Sequence, residues 1–432
     1  MKFYSTNHQV TPATFKEAVF KGLPDDNGLY MPERIPQLPQ SFFNNLQDYS
    51  FAQLAYEVVS RFVEEEIPET ELKKIVNNAF NFEIPVKNIH DNINVLELFH
   101  GPTLAFKDFG ARFMARAMGY FLQQETRDIH ILVATSGDTG SAVAQGFLGV
   151  EGVHVTLLYP KGKVSKIQEQ QLCTVGGNVT ALEVEGTFDD CQYMVKEAFL
   201  DQDLNGHLNL SSANSINIAR LLPQSLYYFY AYGQLMNAGE EVCFSVPSGN
   251  FGNLSGGLLA KRMGLPVAKF IAATNANDIV PEYLNSGVFT PRPSVRTISN
   301  AMDVGNPSNF ARILDLFDGN HNAMTHEIVG VYYTDADTRR IMREVFDKYG
   351  YHLCPHSTIG YAGLRDLLPG SGSATGIFLS SAHPSKFEDV VEPATGKKPE
   401  MPARLKQIIE HEKLSIEIPV GYEHLKSFLM EN

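Results

Sequence analysis

The sequence predicts an α/β protein with parallel sheets, preceded by a mainly helical segment. Helical periodicity dominates the first 90 residues, and short apolar runs then alternate with amphipathic stretches. Strands that alternate with helices in this way are typical of βαβ units, whose strands are parallel. The third observation is that two glycine-rich turns each follow an apolar run and open a helical pattern. Strands are expected at 129–134, 153–159, 179–184, 242–246, 270–273, 329–333 and 376–379.

The chain divides by pattern into three parts, with expected bounds 1–92, 93–390 and 391–432. The first part has helical periodicity at 51–63 and 69–80, separated by prolines. The middle part carries the strands, and the last is a tail that looks helical at both ends. Further helices are expected at 188–200, 214–236 and 336–349, and a break in the tail at 416–419.

Composition excludes several classes of protein. The chain has 432 residues, long enough for two or more domains, and a formal net charge of −14, which disfavours nonspecific nucleic-acid binding. Its four cysteines form no C-x-x-C pair, so neither a metal site nor a disulfide framework is expected. No run of 18 apolar residues and no apolar signal core occur, which predicts a cytoplasmic protein without a membrane span.

Lys107 is the most informative candidate for chemistry. It lies between Phe106 and Phe109, so apolar surface surrounds its ammonium group. Desolvation favours the neutral amine, which can form a Schiff base and anchor an aldehyde cofactor. The alternative is an ordinary lysine that buries its stem and directs its charge to water.

Two glycine-rich loops can bind anions. They span 133–140 and 248–253, and the first turn of a helix after such a loop presents unpaired N–H groups to a negative charge. Neither loop fits the phosphate-loop or dinucleotide-binding patterns. Either loop alone is also compatible with a simple helix cap or a tight turn. Together with Lys107, they indicate a phosphorylated aldehyde cofactor and an anionic substrate.

The chain resembles the threonine synthase family, pyridoxal-phosphate (PLP) enzymes of the tryptophan-synthase-β group, fold type II. The resemblance extends over nearly the whole chain, in the order of the family. It implies two parallel-sheet α/β domains with PLP in the cleft between them, plus an N-terminal helical segment. The matching blocks are 1–4, 27–30, 100–108, 160–165, 214–217, 300–305 and 382–387.

The resemblance also implies roles for individual residues. Lys107 would hold PLP, and Ser381, where the family usually has Thr, would lie beside the pyridine nitrogen. Many relatives have Asp where this chain has Asn253, so a side-chain role at that position is open. The implied phosphate-binding residues are Gly249, Asn250, Phe251, Gly252 and Asn253, and the implied substrate-binding residues are Ser136, Gly137, Asp138 and Thr139.

The reaction implied by the resemblance converts O-phospho-L-homoserine and water into L-threonine and phosphate. Lys163, Lys166 and Arg220 are candidates by type for binding the departing phosphate. The cluster of Lys161, Lys163 and Lys166 is a candidate for attracting the substrate, and the alternative is a group of solvated surface lysines. His356 and His383 are expected to be structural.

Two other functions fit the same motifs. One is a PLP-dependent phospho-lyase, which would release a keto acid, and the other is a binding protein without catalysis. The sequence does not indicate an oligomeric state.

Overall fold

We describe the protein from a computed structural model, in which residues 1–237, 239–368 and 374–431 are described. The strands are β1 (Phe3–Ser5), β2 (Tyr30–Pro32), β3 (Val86–His90), β4 (Ile93–Glu97), β5 (Ile129–Ala134), β6 (Val153–Pro160), β7 (Val179–Val184), β8 (Leu210–Ser211), β9 (Val242–Pro247), β10 (Val267–Thr274), β11 (Ile328–Tyr332), β12 (Thr375–Ser380) and β13 (Ile416–Ile418). The helices are α1 (Phe15–Lys21), α2 (Gln40–Asn44), α3 (Phe51–Val63), α4 (Glu69–Ala79), α5 (Lys107–Leu122), α6 (Asp138–Phe147), α7 (Lys166–Cys173), α8 (Phe188–Leu200), α9 (Gln202–His207), α10 (Ile218–Leu221), α11 (Leu226–Leu235), α12 (Gly252–Arg262), α13 (Ile279–Ser286), α14 (Phe310–Leu316), α15 (His321–Glu327), α16 (Asp335–Tyr349), α17 (Pro355–Leu367), α18 (Glu388–Thr395), α19 (Ala403–Ile409) and α20 (Tyr422–Glu431).

Two sheets organise the fold, as the predicted class requires. A six-stranded sheet has the order β11-β10-β9-β12-β4-β3, and a five-stranded sheet has the order β13-β7-β6-β5-β8. The five-stranded sheet is parallel throughout, and in the six-stranded sheet only β3 runs antiparallel, against β4. Parallel sheets require cover on both faces, which the crossover helices provide.

All seven strands expected from apolar runs are present, but several short strands were not predicted. The helical tail is interrupted at 416–419 as expected, between α19 and α20, and the interruption contains β13, which pairs with β7. The stretch 214–236, expected to be one helix, is interrupted by a 3₁₀ turn at Leu222–Ser225, because Pro223 has no N–H for a continuous helix. The two-stranded ladder of β1 and β2 and the β3–β4 hairpin were also missed.

The N-terminal helices support the helix that carries Lys107. Phe51 of α3 contacts Phe109 of α5 with ring centroids 5.5 Å apart, and Phe80 contacts Phe51 at 5.2 Å. Burying a phenylalanine contributes on the order of 2 kcal/mol, so this cluster fixes α5 firmly. β3 lies in the expected N-terminal part, yet it pairs with β4 of the middle part. The division of the chain into three parts at residues 92 and 390 stays a prediction.

The carboxyl ends of strands from both sheets face one cleft. β5 ends at Ala134, β9 at Pro247 and β12 at Ser380, and both glycine-rich loops begin where a strand ends. Ligands in open parallel sheets bind at this edge. None of the helices in the described residues is long and apolar enough to cross a membrane, and those residues contain no cluster of metal-ligating side chains.

Candidate active site

The cleft contains a cavity of about 330 Å³, which is large enough for a small cofactor. Segments that are far apart in sequence form its wall. The predicted site residues that line it are Lys107, Ser136, Asp138, Thr139, Gly249, Asn250, Phe251, Gly252, Asn253 and Ser381.

Lys107 begins α5, directly after a tightly folded segment. The preceding residues pair antiparallel with 381–383: the Phe106 N–H donates to the Ser381 carbonyl at 2.8 Å, and the His383 N–H donates to the Leu104 carbonyl at 3.0 Å. This backbone pairing keeps Lys107 and Ser381 together at the cavity, although they are 274 positions apart in the sequence.

The environment of Lys107 favours the neutral amine. Burial lowers the pKa of Lys107 to about 8, with the Asp138 carboxylate opposing the shift and Arg220 and Lys386 adding to it. Its amine has no hydrogen bond or ion pair to any part of the chain that the structure describes. A lysine that lines a cavity without a partner is available to a ligand.

The loop before α12 forms a cradle that the backbone itself defines. Phe251 has a left-handed conformation, with φ of 59°, which is unusual for a bulky residue and marks a functionally constrained turn. At Gly249 an added Cβ would lie 2.6 Å from the Met302 Cα, so only glycine fits. The Phe251 side chain does not cap α12, and the Leu254 N–H donates to the Asn253 Oδ1 at 2.9 Å. The N–H groups of Gly252 and Asn253 therefore remain open to an anion.

Two asparagines of this loop hold its shape. The Asn253 side chain accepts from the Ser248 hydroxyl at 2.8 Å and donates to the Pro247 carbonyl at 2.9 Å. The Asn250 side chain donates to Ser215 at 2.7 Å and accepts from the Ser308 N–H at 2.6 Å. Asn253 therefore braces the loop through its side chain, and Asn250 ties the loop to the segments that carry Ser215 and Ser308.

The loop before α6 is folded by its own polar groups. The Thr135 hydroxyl accepts from the N–H groups of Gly137 and Gly140 at 3.0 and 2.8 Å. Gly137 has a φ of 136° and packs against Gln168 instead of lining the cavity. The Ser136 and Thr139 hydroxyls line the cavity and have no hydrogen-bond partner among the described residues.

Asp138 is occupied by protein partners. Its Oδ1 is 2.7 Å from the Lys386 ammonium and accepts from the Gln168 amide at 3.0 Å. Burial raises the pKa of the Asp138 carboxyl, but Lys386 and Lys107 more than offset this, so the pKa lies well below its usual range. The ionised carboxylate therefore orients the loop.

Among the candidate cations, only Arg220 lines the cavity. Its side chain is 4% exposed, and its Nε has no hydrogen-bond partner in the described residues, although the guanidinium also donates to the Ala213 carbonyl. Lys163 and Lys166 are exposed and away from the cavity, and Lys161 pairs with Glu417 at 2.7 Å. The exposure of these lysines fits the alternative of solvated surface side chains, and none of them lines the cavity.

The two histidines have structural contacts, as expected. His356 lines the cavity and accepts from the Ala301 N–H at 3.2 Å, and His383 bonds Ser385 at 2.8 Å. Burial lowers the pKa of each to about 4, so both are neutral at pH 7.

Sequence reasoning missed the contacts of Lys386 and Gln168 with Asp138 and the position of Asn300 in the cavity wall. Lys386 lies within the block 382–387, but nothing in that pattern showed that its ammonium reaches Asp138. Asn300 lines the cavity with a buried side-chain oxygen that has no hydrogen-bond partner in the described residues.

Comparisons with known proteins identify the family of the chain. Family models for the threonine synthase N terminus, for pyridoxal-phosphate-dependent enzymes and for the threonine synthase C-terminal region match residues 2–80, 85–378 and 357–429. The threonine synthase of Serratia marcescens is 45% identical and covers 100% of this chain and 99% of its own length. That of Escherichia coli (strain K12) is 42% identical, with full coverage of both. A structure of PLP-bound threonine synthase from Brucella melitensis is 36% identical, has a TM-score of 0.95 and covers 100% of this chain and 99% of that one.

Proposed function

This chain belongs to the threonine synthase family of pyridoxal-phosphate-dependent enzymes, and we propose that it converts O-phospho-L-homoserine and water into L-threonine and phosphate. The observation that carries the proposal is the unpartnered amine of Lys107, which shares one cavity with two helix N-termini. The activity is that of a carbon–oxygen lyase in the last step of threonine biosynthesis.

The residues present fit PLP. Lys107 supplies the amine for the aldehyde, and the glycine cradle at 249–253 supplies N–H groups for the phosphate. Ser381 lines the cavity, and its hydroxyl can donate to a neutral pyridine nitrogen. When bound, PLP supplies an electron sink for charge that develops on the substrate carbons.

The loop before α6 is the proposed site for the substrate carboxylate. The hydroxyls of Ser136 and Thr139 and the N–H groups of Asp138 and Thr139 are donors without a partner in the described residues, and these three residues line the cavity. Asp138 keeps this loop in shape, and Gly137 provides the backbone conformation that Gln168 packs against. The helix dipole of α6 adds attraction for an anion.

Arg220 is the proposed partner of the substrate phosphate. Its unsatisfied Nε is in the cavity wall, and Gly110 leaves room for it, because a Cβ there would lie 2.8 Å from that atom. Burial lowers the pKa of Arg220 to about 10, so the guanidinium stays charged at pH 7. A buried positive charge that is already in position stabilises the phosphate group as it departs.

Lys107 is also the proposed base. Once the substrate amine replaces it, the free amine can take a proton from the substrate Cα and later return one. A base works best when its pKa is near the operating pH, and a pKa of about 8 meets this condition.

Three measurements test this proposal. Borohydride reduction followed by peptide mapping should place a pyridoxyl group on Lys107, and Lys107→Ala should abolish the visible absorption of the bound cofactor. Product analysis with O-phospho-L-homoserine should yield threonine and phosphate. A 2-keto acid with ammonia would instead identify a phospho-lyase, and a colourless protein that takes up no PLP would identify a noncatalytic relative.

We also propose a cytoplasmic location and small molecules as the only substrates, without a nucleic-acid partner. All four cysteines are buried free thiols, which suits a reducing compartment, and the net charge of −14 disfavours polyanions. Cell fractionation and a DNA-binding assay at low salt check both statements.

A further inference from the structure

We propose that Lys386 is a positioning residue for the substrate loop, because its ammonium holds the Asp138 carboxylate and thereby the first turn of α6. The inference rests on the proposed role of that loop in binding the substrate carboxylate. Lys386 itself does not line the cavity, so it acts through Asp138.

The contact is a fully buried ion pair that joins three distant parts of the chain. The Lys386 ammonium is 2.7 Å from Asp138 Oδ1 and donates to the Thr103 carbonyl at 2.8 Å. The Lys386 and Asp138 side chains are 0% and 4% exposed. Thr103 lies just before Lys107, so Lys386 connects the substrate loop to the cofactor lysine segment.

The ion pair neutralises a buried carboxylate at the N-terminus of α6. A buried carboxylate without a partner is costly, and it would repel a substrate carboxylate that approaches the same helix N-terminus. Lys386 cancels this charge, so the Ser136 and Thr139 hydroxyls and the α6 dipole can attract an anion. Gln168 donates to the same oxygen at 3.0 Å and fixes the direction of the Asp138 side chain.

The pair also sets the charge around Lys107. The charged or titratable groups that act on Lys107 are Asp138, Arg220 and Lys386, and His356 faces it as a neutral ring. Removal of Lys386 leaves Asp138 opposite Lys107 without compensation. The amine of Lys107 then stays protonated to higher pH and reacts with PLP more slowly at neutral pH.

A double-mutant cycle separates positioning from packing. The variants are Lys386→Met, Asp138→Asn and the double variant. Methionine fills similar space, and the Thr103 carbonyl keeps its hydrogen bond from the Gln171 amide at 3.0 Å. Lys398→Met is the matched control, because Lys398 forms an exposed pair of the same 2.7 Å length with Glu388.

Two readouts are needed, the KM for O-phospho-L-homoserine and the pH midpoint for PLP incorporation into the cofactor-free protein. Lys386→Met is expected to raise KM about tenfold and the midpoint by about one pH unit. In the Asp138→Asn background the same substitution should change KM less than about twofold. Asp138→Asn alone should lower the midpoint, and Lys398→Met should change neither readout.

Additive effects of the two substitutions, or an unchanged midpoint in Lys386→Met, would overturn the inference. If Lys386→Met does not fold, the comparison of Asp138→Asn with the double variant tests the inference instead. A double variant that folds and binds substrate as Asp138→Asn does supports the inference, and one that also fails to fold overturns it. A parent protein that takes up no PLP at Lys107 would refute the proposed function and leave the contact geometry untouched.

Discussion

Replacing Lys107 by methionine is expected to stabilise the cofactor-free protein at neutral pH. In the folded chain, burial lowers the pKa of Lys107 from 10.5 to about 8, so the charged form is disfavoured relative to the unfolded chain. At about 1.4 kcal/mol for each pKa unit, the charged lysine costs roughly 3 kcal/mol. A methionine of similar length removes the charge and keeps most of the packing.

The sign of the change in stability with pH follows from the number of protons that Lys107 binds in the folded and unfolded states. Below pH 8, Lys107 is protonated in both the folded and the unfolded state, and the full cost is present. Between pH 8 and 10.5 the unfolded chain binds more protons at this position, so the stability of the parent protein rises with pH. The advantage of Lys107→Met should therefore be largest below pH 8 and vanish as pH approaches 10.5.

Urea denaturation of the cofactor-free proteins at several pH values between 6.5 and 9.5 measures the difference. Lys398→Met is the control, because Lys398 is exposed and its pKa is raised by Glu388, so no gain in stability is expected below pH 8. If Lys107→Met is no more stable than the parent at pH 7, or if its advantage does not change with pH, the assignment of a desolvated amine is wrong.

Three substitutions test the cradle and the cofactor ring. Gly249→Ala should cost about 1–3 kcal/mol in urea denaturation and weaken PLP binding, because its Cβ would lie 2.6 Å from the Met302 backbone. Gly206→Ala is its control, since a Cβ there meets nothing within 4 Å, and equal stability of the two variants would contradict the close approach. Gly252→Asp should weaken PLP binding through like charge at the first turn of α12, and normal PLP titration would remove this loop from the phosphate site. Ser381→Ala should retain bound PLP but lower kcat, and unchanged kinetics would place Ser381 outside the site.

Elements with a strong local pattern were predicted well. The expected strands at 129–134 and 179–184 coincide with β5 and β7, and the helix expected at 51–63 is α3. These segments bury a face that their own periodicity defines. β3 and β13 were missed because they are short edge strands with mixed polarity, and their pairing to β4 and β7 comes from the tertiary structure.

The candidate site shows the same division between local and long-range information. Lys107, the cradle at 249–253 and the loop at 135–139 carry chemical signals in consecutive residues, which the sequence displays directly. The selection of Arg220 over Lys163 and Lys166 needed the structure, because residue type does not reveal which cation is buried beside the cavity.

By itself, the sequence predicted the seven central strands, the two glycine-rich turns and the lysine suited to an aldehyde cofactor, because periodicity and local desolvation depend on near neighbours. Only the tertiary structure decided that Lys386 neutralises Asp138 and that Ser381 shares the cavity with Lys107. Contacts over some 250 positions depend on how the sheets pack, and the residues that form them have no local pattern that identifies their partners.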